Sequence, residues 1–151
     1  MKKSLGIAFV PLVAASVLAA CNNSGTGTSF TNPPTCGVPG TTVLAFPKNG
    51  AAKAPAGLTS VYIVSSVNYL NNGNYNSAIQ PPNGLPYYYG NSWAQIPESQ
   101  VPKPHASPGF SNPTWYSSYI GGLQSGSTYV VGFNVVNQIC NPAGLGSFTT
   151  Q

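Results

Sequence analysis

The sequence predicts an all-β domain, a two-layer antiparallel β-sandwich, from three observations. Seventeen Gly and fifteen Pro, with abundant Asn, Ser and Thr, break the chain into turns and short strands rather than helices. Near its end, Tyr129, Val131, Phe133 and Val135 alternate with Val130, Gly132, Asn134 and Val136, a period of two that a helix cannot satisfy. Charged residues make up only 4% of the chain, against about 25% in an ordinary soluble domain. That scarcity also restricts the chemistry. There is no Arg to grip a phosphate and no Asp, while Glu98 and His105 are each the sole residue of their kind, so a paired-carboxylate mechanism is excluded.

Residues 1–20 have the three-part form of an export signal, with Lys2 and Lys3 followed by an apolar run from Leu5 to Val17 and then small residues. A membrane span needs about twenty apolar residues, and this run is interrupted by Pro11, so the segment is a targeting element that is cleaved. Its last four residues, Leu18-Ala19-Ala20-Cys21, resemble the lipobox of bacterial lipoproteins. The resemblance implies cleavage before Cys21, diacylglycerol on its sulfur and acylation of the new amine. The alternative is a secreted protein cut after Ala20 with Cys21 a coincidental thiol. Acyl chains contribute about 0.8 kcal/mol per buried methylene, so two or three of them anchor a protein to a bilayer. By the same family rule, Asn22 lacks the aspartate linked to inner-membrane retention, which implies an outer-membrane or cell-surface location. Residues 21–34 then read as a flexible tether, since Asn22 to Ser29 offers almost nothing apolar.

With Cys21 taken by lipid, Cys36 and Cys140 remain, an even number in an oxidising compartment, so a disulfide between them is expected. Closing so long a loop is worth roughly 4 to 5 kcal/mol on chain-entropy arguments. Two separate thiols or a redox pair would call for closer spacing and nearby cations.

The domain spans 35–151. Thr41 to Phe46 is a strand ended by the turn Pro47-Lys48-Asn49-Gly50, and Leu58 to Ser66 is a second. Tyr75 to Gln80, Tyr87 to Ile96 and Thr114 to Ile120 are candidate strands between Asn-Gly and Pro-Pro turns, with a proline-rich loop from Pro97 to Pro113. The segment Leu123-Gln124-Ser125-Gly126-Ser127-Thr128-Tyr129 resembles the turn into strand F of a fibronectin type III domain. The resemblance implies that Leu123 packs under the turn, Gly126 supplies the bend and Tyr129 bonds its hydroxyl to the backbone as a tyrosine corner, while Asn137 ends the strand. A loop from Gln138 to Gly144 and a last strand at Leu145 to Thr150 complete the likeness to an immunoglobulin-like or fibronectin type III-like sandwich. The tryptophan usual on strand B is missing, where Tyr62 and Ile63 stand, so a cousin of the type III group fits as well. The same resemblance places Cys36 and Cys140 at one end of the sandwich, so their bridge would pin the N-terminal segment to the loop without crossing the core.

No catalytic residue, metal site or cofactor is expected. A serine with His105 and Glu98 forms the only conceivable hydrolase triad, yet Pro97 to His105 is a proline-rich loop without a nucleophile elbow, where both side chains are expected in solvent. One His cannot supply the ligands zinc needs. Beyond the signal, only Lys48, Lys53 and Lys103 stand against Glu98, which leaves no basic stripe for nucleic acid. Tyr87, Tyr88, Tyr89, Trp93, Trp115 and Tyr116 form the candidate binding surface, rich in the rings that recognition surfaces use. Alternation along a strand separates Tyr88 from Tyr87 and Tyr89, and the competing reading is that the rings fill the core of a chain short of Leu and Ile. The functional expectation is an envelope-anchored, non-catalytic lipoprotein. Its partners are the membrane, through lipid, and an envelope protein or glycan. The alternative is a structural or assembly lipoprotein with no small ligand. The oligomeric state is left open.

Overall fold

The computed structural model describes residues 32–55, 57–69, 74–82 and 87–151. The signal peptide 1–20, Cys21 and the tether as far as residue 31 lie outside the described residues. Nine strands follow in chain order: β1 (Thr42–Phe46), β2 (Ala51–Ala54), β3 (Ser60–Ser65), β4 (Tyr75–Gln80), β5 (Tyr88–Ser92), β6 (Ala94–Ile96), β7 (Thr114–Tyr119), β8 (Thr128–Val135) and β9 (Ala143–Thr150). They form two sheets, ordered β1-β3-β7-β6 and β2-β9-β8-β4-β5, packed face to face. The all-β sandwich expected from turn density and alternation is the observed fold.

Two strands depart from expectation. The second sheet is mixed, because β2 lies parallel to β9. Ala51–Ala54 has little strand propensity of its own. The turn before it supplies the reason: Gly50 N–H donates to the Ser147 carbonyl at 2.7 Å, and Asn49 Oδ1 accepts from Ser147 N–H at 2.9 Å. Both backbone groups of Ser147 are thus held by the turn, which carries the chain from the first sheet to the edge of the second. Gly146, at φ +153°, has to be glycine here, since a Cβ would lie 2.7 Å from Asn49 Oδ1.

The single strand expected over Tyr87 to Ile96 is two, β5 and β6, in different sheets. The chain crosses the sandwich between them. Gly90 passes so close to β7 that a Cβ would meet Ser77 Oγ at 2.1 Å and the Tyr119 carbonyl at 2.7 Å. Beneath this crossing, Ser77 Oγ and Ser118 Oγ lie 2.8 Å apart, a buried hydrogen bond from one sheet to the other.

Between the sheets, Leu44, Val61, Ile63 and Tyr116 face Ile79, Val131, Phe133 and Phe148. Phe133 is the hub. Its ring centroid lies 5.1 Å from Tyr75, 5.5 Å from Tyr69 and 6.5 Å from Trp93, while Tyr69 stacks on Tyr116 at 4.5 Å. Aromatic pairs in this range contribute about 0.5 to 1.5 kcal/mol beyond their buried area.

Cys36 and Cys140 are joined, with Cα atoms 5.0 Å apart across a sequence separation of 104. Beside the bridge, Cys36 N–H donates to Asn141 O and Asn141 N–H to Pro34 O, both at 2.8 Å, and Asn141 Nδ2 reaches Pro33 O at 2.9 Å. The N-terminal segment of the domain is therefore sewn to the β8–β9 loop from Pro33 onward. Replacing both cysteines by serine should lower stability by about 4 kcal/mol in chemical denaturation, near the loop-closure value. A loss below about 1 kcal/mol would mean that the three flanking hydrogen bonds hold the segment without the bridge.

Candidate functional site: an uncharged sheet face and the cleft at its end

The six aromatic residues expected to form a binding surface divide sharply. Trp93 is 2% exposed, Trp115 5% and Tyr116 0%, so these three belong to the interior and the expectation is corrected for them. Trp93 sits where the chain crosses between sheets, its N–H on the Tyr75 carbonyl at 3.1 Å and its ring stacked on Phe133. It brings an indole into the core from a position quite different from strand β3. Of the remaining three, Tyr89 is 58% exposed while Tyr87 and Tyr88 are half-buried. Register explains the split: Tyr88 pairs with the buried Ile79, and Tyr89 with Ala78 on the opposite face of β4.

Trp115 lies on the outer face of the first sheet, in a second cluster with Ala45, Val64 and Val101, against which Tyr62, Ile96 and Phe110 pack. Val101 and Phe110 come from the Pro97 to Pro113 segment, which runs across that face as a strap. At its far side Ala106 N–H donates to the Ala45 carbonyl at 2.9 Å, capping β1. The solvated position expected for His105 is therefore corrected, whereas Glu98, with 51% of its side chain exposed, lies in solvent as expected. The His105 side chain is 7% exposed, its ring 4.9 Å edge-on to Trp115, with Nε2 3.8 Å from Glu98 Oε1 and Nδ1 donating to Ala106 O at 3.1 Å. Both ring nitrogens face acceptors within the strap. Among the described residues no three His, Cys, Asp or Glu side chains gather where a metal could bind.

Among the described residues the outer face of the second sheet has no strap, although Tyr87 and Pro142 lie over Gly132 at its centre and Ala78 is fully buried. Pairing places Asn76, Ala78 and Gln80 of β4 beside Asn134, Gly132 and Val130 of β8, with Ser147 and Thr149 of β9 beyond them and Tyr89 and Ser92 of β5 on the other side. Strands β4, β5, β8 and β9 contain no Lys, Glu or His. Their polar groups are amides and hydroxyls, some paired with each other: Ser92 Oγ donates to Asn76 Oδ1 at 3.0 Å, and the Thr128 and Thr149 hydroxyls lie 2.8 Å apart. At the centre a Cβ on Gly132 would meet Pro142 Cβ at 3.1 Å and Tyr87 Cε1 at 3.4 Å, so glycine lets these two residues lie close on the sheet.

At one end of this face two clefts of about 460 and 600 Å³ share Pro81, Pro82 and Gln124. The first is also lined by Tyr88, Ile120, Gly122 and Tyr129, and the second by Gln80, Gly126, Ser127, Thr128 and Val130. The Tyr129 hydroxyl accepts from Gln124 N–H at 2.9 Å, five residues upstream. Leu123 packs against the core, Gly126 takes φ +66° and Asn137 takes φ +66° just beyond β8, a left-handed conformation that asparagine tolerates. Burial and the neighbouring Tyr129 raise the Tyr88 phenol above its ordinary pKa. Gln80, Pro81, Pro82 and Gln124 carry no aromatic ring to mark them in the sequence. Gln80 followed by Pro81-Pro82 at the end of a candidate strand was the available signal.

Compared with protein-family models, curated proteins and solved structures, the chain matches none.

Among the described residues, the Tyr69 hydroxyl and Trp93 Nε1 are buried without a hydrogen-bond partner. Burial, with the Tyr116 and Tyr75 phenols beside it, raises the Tyr69 pKa. An unpaired buried hydroxyl costs about 1 to 3 kcal/mol. Tyr69→Phe keeps the ring on Tyr116 and Phe133 and should raise the thermal midpoint or leave it unchanged. A clear drop in the midpoint would show that the hydroxyl has a partner after all.

Proposed function

We propose that this chain is a lipid-anchored, non-catalytic protein of the bacterial cell envelope, whose β-sandwich presents the outer face of its second sheet to a protein or glycan partner. The observation that carries the reading is the asymmetry of the sandwich. One outer face lies under the strap and contributes a hydrophobic cluster; the other has no strap, and its strands β4, β5, β8 and β9 carry no charged side chain and set Tyr89, Asn76, Ser92 and Asn134 on it. Tyr among small polar side chains gives contact area at low conformational cost with adaptable hydrogen bonding.

The lipobox at Leu18–Cys21 supports export and anchoring, and the Cys36–Cys140 bridge fits an oxidising compartment. The immunoglobulin-like reading is supported by sheet order. Taking β1, β3, β4, β7, β8 and β9 as strands A, B, C, E, F and G, with β6 as D, gives one sheet of A, B, E and D and another containing C, F and G. The Tyr129 contact to Gln124 supports the tyrosine corner of that group. The alternative, assembly through sheet edges, is limited on three of the four edges, since β2 has four residues including Lys53, β6 has three and β1 is capped by Ala106, and it would have to use β5, the five-residue edge of the second sheet.

The test places a photo-crosslinking residue at Tyr89, or at Lys103 on the strap, in protein expressed at natural level in its host. Light should yield discrete adducts from position 89 and none from 103, and Cys21→Ser should move the protein from the membrane to the soluble fraction. Equal labelling from both positions would contradict the face assignment, and a Cys21→Ser protein that still sediments with membranes would contradict the anchor.

A further inference from the structure

We infer that the two clefts meeting at Pro81, Pro82 and Gln124 form one binding site for a neutral oligosaccharide. The inference rests on the reading of the domain as a contact module and names the ligand class for one end of it. Clefts of about 460 and 600 Å³ fall within the span of small-ligand sites, roughly 300 to 1,000 Å³. Because they share three residues, a chain of several linked rings can lie across both.

The lining selects the chemistry. Among the described residues neither cleft is lined by Lys, Glu or His, so none of these lining residues balances the charge of a phosphate, a uronate or a basic peptide. The Tyr88 phenol, its pKa raised by burial, brings no charge to the cleft either. What remains is the kind of surface a sugar requires: an aromatic ring to pack its C–H face, and the Gln80 and Gln124 amides, which can each donate and accept towards hydroxyls. An extended peptide is matched less well. Pro81 and Pro82 have no N–H, so this wall cannot offer a peptide strand the paired donors and acceptors of β-augmentation.

The site is also held in place. Gln124 has both backbone groups engaged, its N–H on the Tyr129 hydroxyl at 2.9 Å and its carbonyl accepting from Thr150 Oγ1 at 2.5 Å. Gln80 closes β4, paired with Val130 of the central strand β8. Both amides therefore project from fixed backbone, which reduces the ordering cost of binding.

The experiment uses the full mature protein in detergent micelles, titrated with short neutral oligosaccharides of hexose and N-acetylhexosamine units. Sulfated or uronate-containing oligosaccharides and proline-rich peptides serve as comparisons. At least one neutral probe should bind, and Gln124→Ala and Tyr88→Ala should each weaken it by about tenfold, equivalent to about 1.4 kcal/mol. Lys103→Ala, on the strap, should leave that affinity unchanged. Gln124→Ala keeps both backbone bonds, so an unchanged denaturation midpoint separates lost binding from lost folding should Tyr88→Ala unfold. The inference is overturned if folded protein binds none of the neutral probes, if it binds only the anionic probes or peptides, or if both cleft variants bind as the parent does. In each of those cases crosslinking from position 89 and retention in the membrane would still stand, so the failure would belong to the cleft alone.

Discussion

The packing of aromatic rings on Phe133 between the two sheets is the interaction on which the rest of this domain depends. A chain with few leucines and isoleucines has to bury area by other means, and it does so with Tyr69, Tyr75, Trp93 and Tyr116. Truncating a buried ring of this size typically costs about 3 to 5 kcal/mol, a large share of the stability of any small domain. The rings also dictate the route of the chain. Trp93 reaches the core only because the backbone leaves the second sheet after β5 and enters the first at β6, and only a glycine at position 90 fits that passage.

Once the interior has taken these rings, the exterior follows. The Pro97 to Pro113 strap buries Trp115 and His105 on one outer face, and the Cys36–Cys140 bridge closes the end where the N-terminal segment meets the β8–β9 loop. The second sheet's outer face and the adjoining Pro81–Gln124 cleft are left without a strap. Their polarity comes from amides and hydroxyls, in keeping with a chain that has one glutamate and no aspartate or arginine. Such a surface is wetted without being charged, so its contacts are expected to depend little on salt.

Much of this was legible in the sequence where the signal was local. The alternation in β8 marked a strand with one buried face, and Tyr129, Val131, Phe133 and Val135 are the residues that face inward. Cysteine parity, in a chain expected to be exported, pointed to the bridge. What escaped was set by partners distant in sequence. Alternation continues through Trp93 without a break, and the crossing there is imposed by Ser77 and Tyr119 against Gly90. Strand β2 exists because Asn49 and Gly50 hold Ser147. The prolines marked the strap as a loop, yet nothing local tells Val101 and Phe110 to seek Trp115. For the candidate site, alternation set Tyr88 apart from Tyr87 and Tyr89 without telling which ring would be exposed, and Gln80 and Gln124 acquire a common role only when β4 and the turn before β8 meet.

The most direct test of this account is the solvent exposure of Trp93 and Trp115, the two tryptophans of the chain. If the rings are interior, native protein will show blue-shifted tryptophan emission that acrylamide quenches poorly, with quenching rising sharply on unfolding. Emission as red and as readily quenched in the native protein as in denaturant would contradict the ring-packed core and the assignment of the strap-free face that follows from it.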